Sequence, residues 1–149
     1  VQILVLEDRG TVAEYLEETL REAGHIVHSC FNVLDARSAL SDSIDCLIID
    51  LNMPAEGLTK EQIAQTNAGM FTGWIWLRDE VYSNKPALRE ATIIYSDYLT
   101  QFRKEEQMKE EDVTGVTMIG KRDGNGAKKL LAAVATIEAK QASREREHG

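Results

Sequence analysis

Apolar and polar positions follow two rhythms along this chain. Ile3-Leu4-Val5-Leu6 is a continuous apolar run that ends abruptly in Glu7-Asp8, the pattern of a strand buried on both faces and followed by a loop. The period then lengthens. Val12, Tyr15, Leu16, Thr19, Leu20 and Ala23 recur at spacings of three and four, which predicts a helix. Thr11 and Glu14 have the spacing of a capping box, and Gly24 suits the far end. His25 to Phe31 reads as a second strand, and Asn32 as the cap of a short helix through Ala39-Leu40. The run from Ile44 to Ile49 reads as a third strand, closed by Asp50, with Pro54 stopping regular structure soon after. Strand-helix alternation with short connections predicts a parallel sheet covered by helices on both faces.

From Leu51 to Phe71 that economy is lost, because connections of two to about six residues are usual in such units. Thr59 and Gln62 match a capping box, so a small helix over about Lys60 to Thr66 is expected inside this insertion, which spans about residues 55–71. Asn67-Ala68-Gly69 should break it. The next helix should start at Thr72 and run through Trp74, Leu77 and Val81, ending before Lys85-Pro86. Ile75 and Trp76 make it apolar almost all round, so it needs cover on more than one side. Met70, Phe71 and the rest of the insertion are expected to supply that cover, and a partner protein is the alternative. Ala91 to Tyr95 is the fourth strand, ending in Ser96-Asp97, and Gly115 to Ile119 the fifth, followed by Gly120-Lys121. The polar stretch from Gln101 to Asp112 reads as a solvated helix. Ala127, Leu130, Leu131, Val134 and Ile137 mark the buried side of a last helix, and residues 138–149 as its polar end or a frayed tail.

Composition narrows the class. A chain of 149 residues with 43% hydrophobic and 28% charged positions has the size and make-up of one globular domain. Its net charge of −8 argues against nucleic-acid binding, which needs a basic face to neutralise phosphates. No apolar run approaches the ~20 residues of a membrane span, and no signal peptide is visible. Cys30 and Cys46 lie in strand-like runs without metal-ligand spacing, so they read as reduced core thiols and the expected location is cytoplasmic. The chain starts in a strand without a Met, as a trimmed N-terminus would. His25, His28, Trp74 and Trp76 read as structural residues, although the apolar helix could also form the seam of a homodimer. Gly120-Lys121 with Gly124 and Gly126 fails the spacing of a nucleotide-binding loop and reads as the turn before the last helix.

Five parallel strands place their C-terminal ends on one edge, where open α/β sheets hold their ligands. The first polar groups past that edge are Glu7-Asp8, Asp50, Ser96 and Lys121. Carboxylates this close would repel by about 4 kcal/mol per pair at ~4 Å and an effective dielectric near 20. A divalent cation removes that repulsion, and Mg²⁺ suits one or two carboxylates with a carbonyl and waters. Lys121 and the Ser96 hydroxyl would offer a cation and a donor to a phosphoryl group, with Asp50 as the nucleophile that forms an aspartyl phosphate.

Leu6-Glu7-Asp8, Asp50 with Asn52-Met53-Pro54, Gly73, Ser96 and Lys121, in that order across nearly the whole chain, resemble a response-regulator receiver domain, the phosphoacceptor module of two-component signalling. The resemblance implies a flavodoxin-like (CheY-like) sheet in the order 2-1-3-4-5, with an insertion after strand 3. It implies that Asp8 and Asp50 bind Mg²⁺ directly, that Asn52 contributes its backbone carbonyl and that Glu7 acts through water. Asp50 would accept the phosphoryl group, Ser96 would turn toward it, and Lys121 would pair with it. The implied partner is a sensor histidine kinase or phosphotransfer protein, and the only chemistry is self-phosphorylation and self-dephosphorylation.

Four departures accompany the match. Asp97 stands where the family usually has a small residue, Met118 replaces its aromatic switch residue, and Arg122 replaces the proline that usually follows the lysine with a cis bond. The loop from Asp50 to Gly73 is also much longer than usual. Phosphate acceptance is expected to survive these changes and the usual hydroxyl-aromatic relay is not. A phosphorylation-switched binding module, alone or as a fragment of a longer chain, is therefore the first reading. A pseudo-receiver used as a scaffold or dimerisation unit is the second. A true phosphatase or phosphotransferase comes last, since Asn52 cannot serve as its general acid.

Overall fold

Alternate side chains of a strand face opposite sides of its sheet, and here both sides are apolar. In the first strand, β1 (Gln2–Leu6), Ile3 and Val5 join one core cluster while Leu4 and Leu6 join another. The same division continues through β3 (Cys46–Ile49), where Cys46 and Ile48 face one cluster and Leu47 and Ile49 the other. A sheet that is apolar on both faces must be covered twice, and the helices do so. The computed structural model describes residues 1–105 and 110–148. The sheet is completed by β2 (Ile26–Cys30), β4 (Thr92–Ser96) and β5 (Thr117–Gly120). All pairings are parallel and the order is β2-β1-β3-β4-β5, as expected.

One face is covered by α1 (Gly10–Glu22) and α7 (Gly126–His148), through Leu16 and Leu20 of the first and Leu130, Val134 and Ile137 of the second. The other carries α2 (Val33–Ala39) and α4 (Thr72–Trp76). Past Trp76 the α4 helix widens into a π-helical turn (Leu77–Val81) and closes with α5 (Tyr82–Asn84). A 3₁₀ turn (Pro86–Ala91) then leads into β4.

Several local expectations shift. The α1 helix begins one residue before Thr11, with Arg9 at its N-cap and no side-chain cap, so the Thr11-Glu14 capping box does not form. Its buried face is Ala13, Leu16 and Leu20, while Tyr15 is half exposed. Asn32 caps α2 as expected, its side chain accepting from Asp35 N at 2.8 Å. Of the polar stretch from Gln101 to Asp112, α6 (Leu99–Arg103) covers the start and a 3₁₀ turn (Glu110–Val113) the end. Residues 106–109 lie outside the described part of the chain. The helix over residues 126–148 continues through the polar segment 138–148.

The insertion is tied down at many points. Its helix α3 (Lys60–Gln65) carries the complete Thr59-Gln62 capping box, with bonds of 2.9 and 3.2 Å. Asn67, Ala68 and Gly69 then run in the left-handed region at φ 52°, 57° and 89°. This turns the chain back so that Met53 N reaches Gly69 O at 3.2 Å and the Thr72 hydroxyl donates to Met53 O at 2.8 Å. Arg78 and Asp79 on the π turn hold Gln65 and Gln62 of α3, at 2.6 and 3.3 Å. The apolar α4 helix is covered by the sheet, by Leu58, Met70 and Phe71 from the insertion, and by Phe102 of α6. Trp74 stacks edge-on against Phe102 at 5.5 Å and Tyr82 at 6.2 Å, and Trp76 is fully buried with its indole N–H donating to Glu80.

Candidate phosphoacceptor site

The register of the sheet brings the polar strand ends together. Leu6 pairs with Ile49, so Glu7 and Asp50 leave β1 and β3 side by side, and Asp50 N donates to Leu6 O at 2.9 Å. Ser96 pairs with Gly120, which places Lys121 at the same edge. Carboxylate oxygens of Glu7, Asp8 and Asp50 all lie within 4.8 Å of one another. The Lys121 ammonium reaches across from β5 and donates to Glu7 Oε2 and Asp50 Oδ2, each at 2.8 Å. Glu7 and Asp50 are buried, at 1% and 5% exposed, whereas Asp8 is open to solvent.

One ammonium cannot balance three carboxylates. Burial and the neighbouring Asp50 charge push the Glu7 carboxyl up to about 7, against the pull of Lys121. Asp8 is raised by the same two causes. Burial works against the charge on Lys121, but Asp50 and Glu7 more than offset it and raise its pKa. The cluster therefore has surplus negative charge, hard oxygen donors and one member facing water, a donor set that fits Mg²⁺ with some of its waters retained.

Asn52 lies half-buried in a turn that is fixed on both sides, since Leu51 O accepts from Gly73 N at 3.0 Å and Met53 N is held by Gly69. This turn depends on Gly73. A Cβ on that residue would stand 2.0 Å from Asp50 O and 2.9 Å from a methyl of Ile49, so α4 can approach the end of β3 only where no side chain intervenes. Ser96 is buried, and its backbone carbonyl accepts from Lys121 N at 3.2 Å. Its hydroxyl accepts from Tyr98 N at 3.2 Å, at the start of α6. The structure thus gathers the carboxylates of Glu7, Asp8 and Asp50, pairs Lys121 with Glu7 and Asp50, and sets Ser96 beside Lys121 in the ladder.

Arg9 was not singled out from the sequence, yet its guanidinium lies 3.9 Å from Asp97. The available signal was its position, a cation directly after the Glu7-Asp8 pair. Met118 is partly buried against the cluster containing Ile94 and Phe102. The described residues contain no cis peptide bond, the one before Arg122 included.

No protein-family model and no curated protein matches the sequence. Solved structures do match in shape. A response-regulator receiver-domain protein from Clostridium thermocellum is similar over 95% of this chain and 97% of its own, with a TM-score of 0.68 and 20% identity. The Thermotoga maritima response regulator TrrA, in complex with Mg²⁺-BeF, is similar over 91% and 97%, with a TM-score of 0.62 and 20% identity. The Vibrio cholerae chemotaxis protein CheY4 is similar over 92% and 98%, with a TM-score of 0.61 and 15% identity. Sheet order, flanking helices and these neighbours agree: the chain has the CheY-like fold of response-regulator receiver domains.

Proposed function

We propose that this chain is a phosphoacceptor receiver domain, in which Asp50 takes a phosphoryl group from a histidine kinase or phosphotransfer protein and partner binding changes in response. The observation that carries the reading is the Lys121 ammonium, 2.8 Å from both Glu7 and Asp50 at a strand-end edge that also holds Asp8. In the transfer, the phosphorus–nitrogen bond of a phosphohistidine breaks as a bond forms between phosphorus and an Asp50 oxygen. Asp8 and Asp50 would hold Mg²⁺ with the Asn52 carbonyl, and Glu7 through water. When bound, the ion neutralises the carboxylates and the charge of the incoming phosphoryl oxygens. Lys121 would follow that charge onto the new phosphoryl group, and the Ser96 hydroxyl, which accepts from Tyr98 N, would donate to a phosphoryl oxygen. A cytoplasmic setting follows from this partner class.

The test is phosphoryl incorporation from an autophosphorylated histidine kinase and from small phosphodonors with Mg²⁺, read by intact mass. Wild type should gain one phosphoryl group and Asp50→Asn none. Equal labelling of both, or of neither, overturns the assignment. The pseudo-receiver reading draws on one observation, the Asp97–Arg122 ion pair beside Lys121. It requires that neither Mg²⁺ nor phosphate binds while the fold persists.

A further inference from the structure

The turn after β3 is held by bonds that come from the far end of the insertion. On one side of Asn52, Leu51 O accepts from Gly73 N at 3.0 Å. On the other, Met53 N donates to Gly69 O at 3.2 Å and Met53 O accepts from the Thr72 hydroxyl at 2.8 Å. Asn52 lies between these bonded neighbours, and among the described residues no hydrogen bond reaches its carbonyl. The direction of that carbonyl is constrained all the same. Asn52 C=O and Met53 N–H belong to one peptide unit, which is planar and trans, so they point opposite ways. The unit whose N–H faces Gly69 therefore presents its oxygen away from Gly69.

Two threonines support this arrangement, and both are fully buried. The Thr66 hydroxyl donates to Ile63 O at 2.8 Å and accepts from Gly69 N at 3.0 Å. Thr72 Oγ1 lies 3.1 Å from Gly69 O as well as 2.8 Å from Met53 O. A Cβ on Gly69 would stand 2.8 Å from Met53 O, so the two backbones meet with no side chain between them. We propose that Thr66 and Thr72 are positioning residues for the cation: through Gly69 and Met53 they fix the Asn52–Met53 peptide, and with it the backbone oxygen that would bind Mg²⁺. The proposal rests on the phosphoacceptor reading, in which Asn52 is a cation ligand. Its consequence is selectivity. Mg²⁺ demands near-octahedral geometry at ~2.0–2.1 Å, whereas Ca²⁺ accepts longer distances and a flexible shell. A carbonyl released from its tether therefore costs Mg²⁺ more affinity than Ca²⁺.

The experiment titrates the protein with Mg²⁺ alone and with Ca²⁺ alone, by calorimetry, for wild type, Thr72→Val, Thr72→Ser, Thr66→Val and Asp50→Asn. Urea unfolding without metal establishes that each variant is folded. Thr72→Val should weaken Mg²⁺ binding about tenfold, the scale on which removing an outer partner of a metal ligand acts, and Ca²⁺ binding by less. Thr72→Ser, which keeps the hydroxyl, should restore both affinities. Thr66→Val should shift them in the same direction as Thr72→Val, and it carries the test if Thr72→Val does not fold. Unchanged Mg²⁺ affinity in a folded valine variant overturns the proposal. Equal weakening of the two ions, or loss of folding in both valine variants, also overturns it, because the hydroxyls would then only support the fold. With Asp50→Asn losing Mg²⁺ in the same titrations, those results leave the phosphoacceptor reading standing. If wild type binds no Mg²⁺, or Asp50→Asn binds it equally well, the cation site itself fails and this inference with it.

Discussion

Lys121 and Glu7 show how much of this site is decided by single charges. The ammonium answers two buried carboxylates at 2.8 Å each, and what it cannot neutralise appears in Glu7, whose carboxyl is pushed from 4.5 to about 7 by burial and by Asp50. Between those two values the folded protein holds a proton that the unfolded chain has released. Stability from this group is therefore fully present below about pH 4.5 and is lost as pH rises through about 7. In metal-free buffer, urea denaturation should show wild type losing roughly 1–3 kcal/mol relative to Glu7→Gln between about pH 5 and pH 8. A parallel pH profile for the two proteins would show that Glu7 ionises normally. Asp97 belongs to this scale as well. Its meaning as an added negative charge was legible in the sequence, but its arginine partners were not, because ion pairing between residues 9, 97 and 122 depends on the crossing of three strand ends.

At the scale of elements, the junction of β3 and α4 governs the site. The insertion returns to the strand end through three left-handed residues, and α4 begins against the Asp50 carbonyl with no room for a side chain at Gly73. Gly73→Ala should cost about 3 kcal/mol or more, because backbone rather than a flexible side chain must yield. Gly124→Ala is the control. Nothing lies within 4 Å of a Cβ there, so its urea midpoint should stay close to wild type, and comparable losses in both variants would refute the close-approach argument. The α3 capping box and the Asn32 cap were legible because each is a local exchange of side-chain and backbone bonds over three residues. The start of α1 was misplaced for the converse reason: the turn after β1 has no capping side chain to announce it, and the bonds of the sheet decide where the strand lets go.

Across the whole molecule, two apolar faces and one charged edge divide the labour. The faces supply the core, and the edge collects carboxylates whose repulsion Lys121 relieves only in part. A ligand that binds the folded state alone stabilises it in proportion to the logarithm of its concentration over Kd. Mg²⁺ at about a hundredfold over Kd should therefore add roughly 2.7 kcal/mol to wild type, seen as a raised unfolding midpoint. Asp50→Asn should lose most of that gain, whereas an equal rise in both proteins would mean that Mg²⁺ acts elsewhere or only screens the net charge of −8.

The sequence by itself determined the strand-helix alternation, the two-sided burial of the sheet and the presence of carboxylates, a hydroxyl and a lysine just past the strand ends. These are consequences of periodicity and of where each apolar run stops. Only the tertiary structure decided which of those groups touch, that α4 is covered by Phe102 as well as by the insertion, and that Arg9 and Arg122 answer Asp97. Contacts of that kind depend on strand register and on the angle at which helices return to the sheet. Those quantities are set by the packing of the whole core, and no local stretch of residues encodes them.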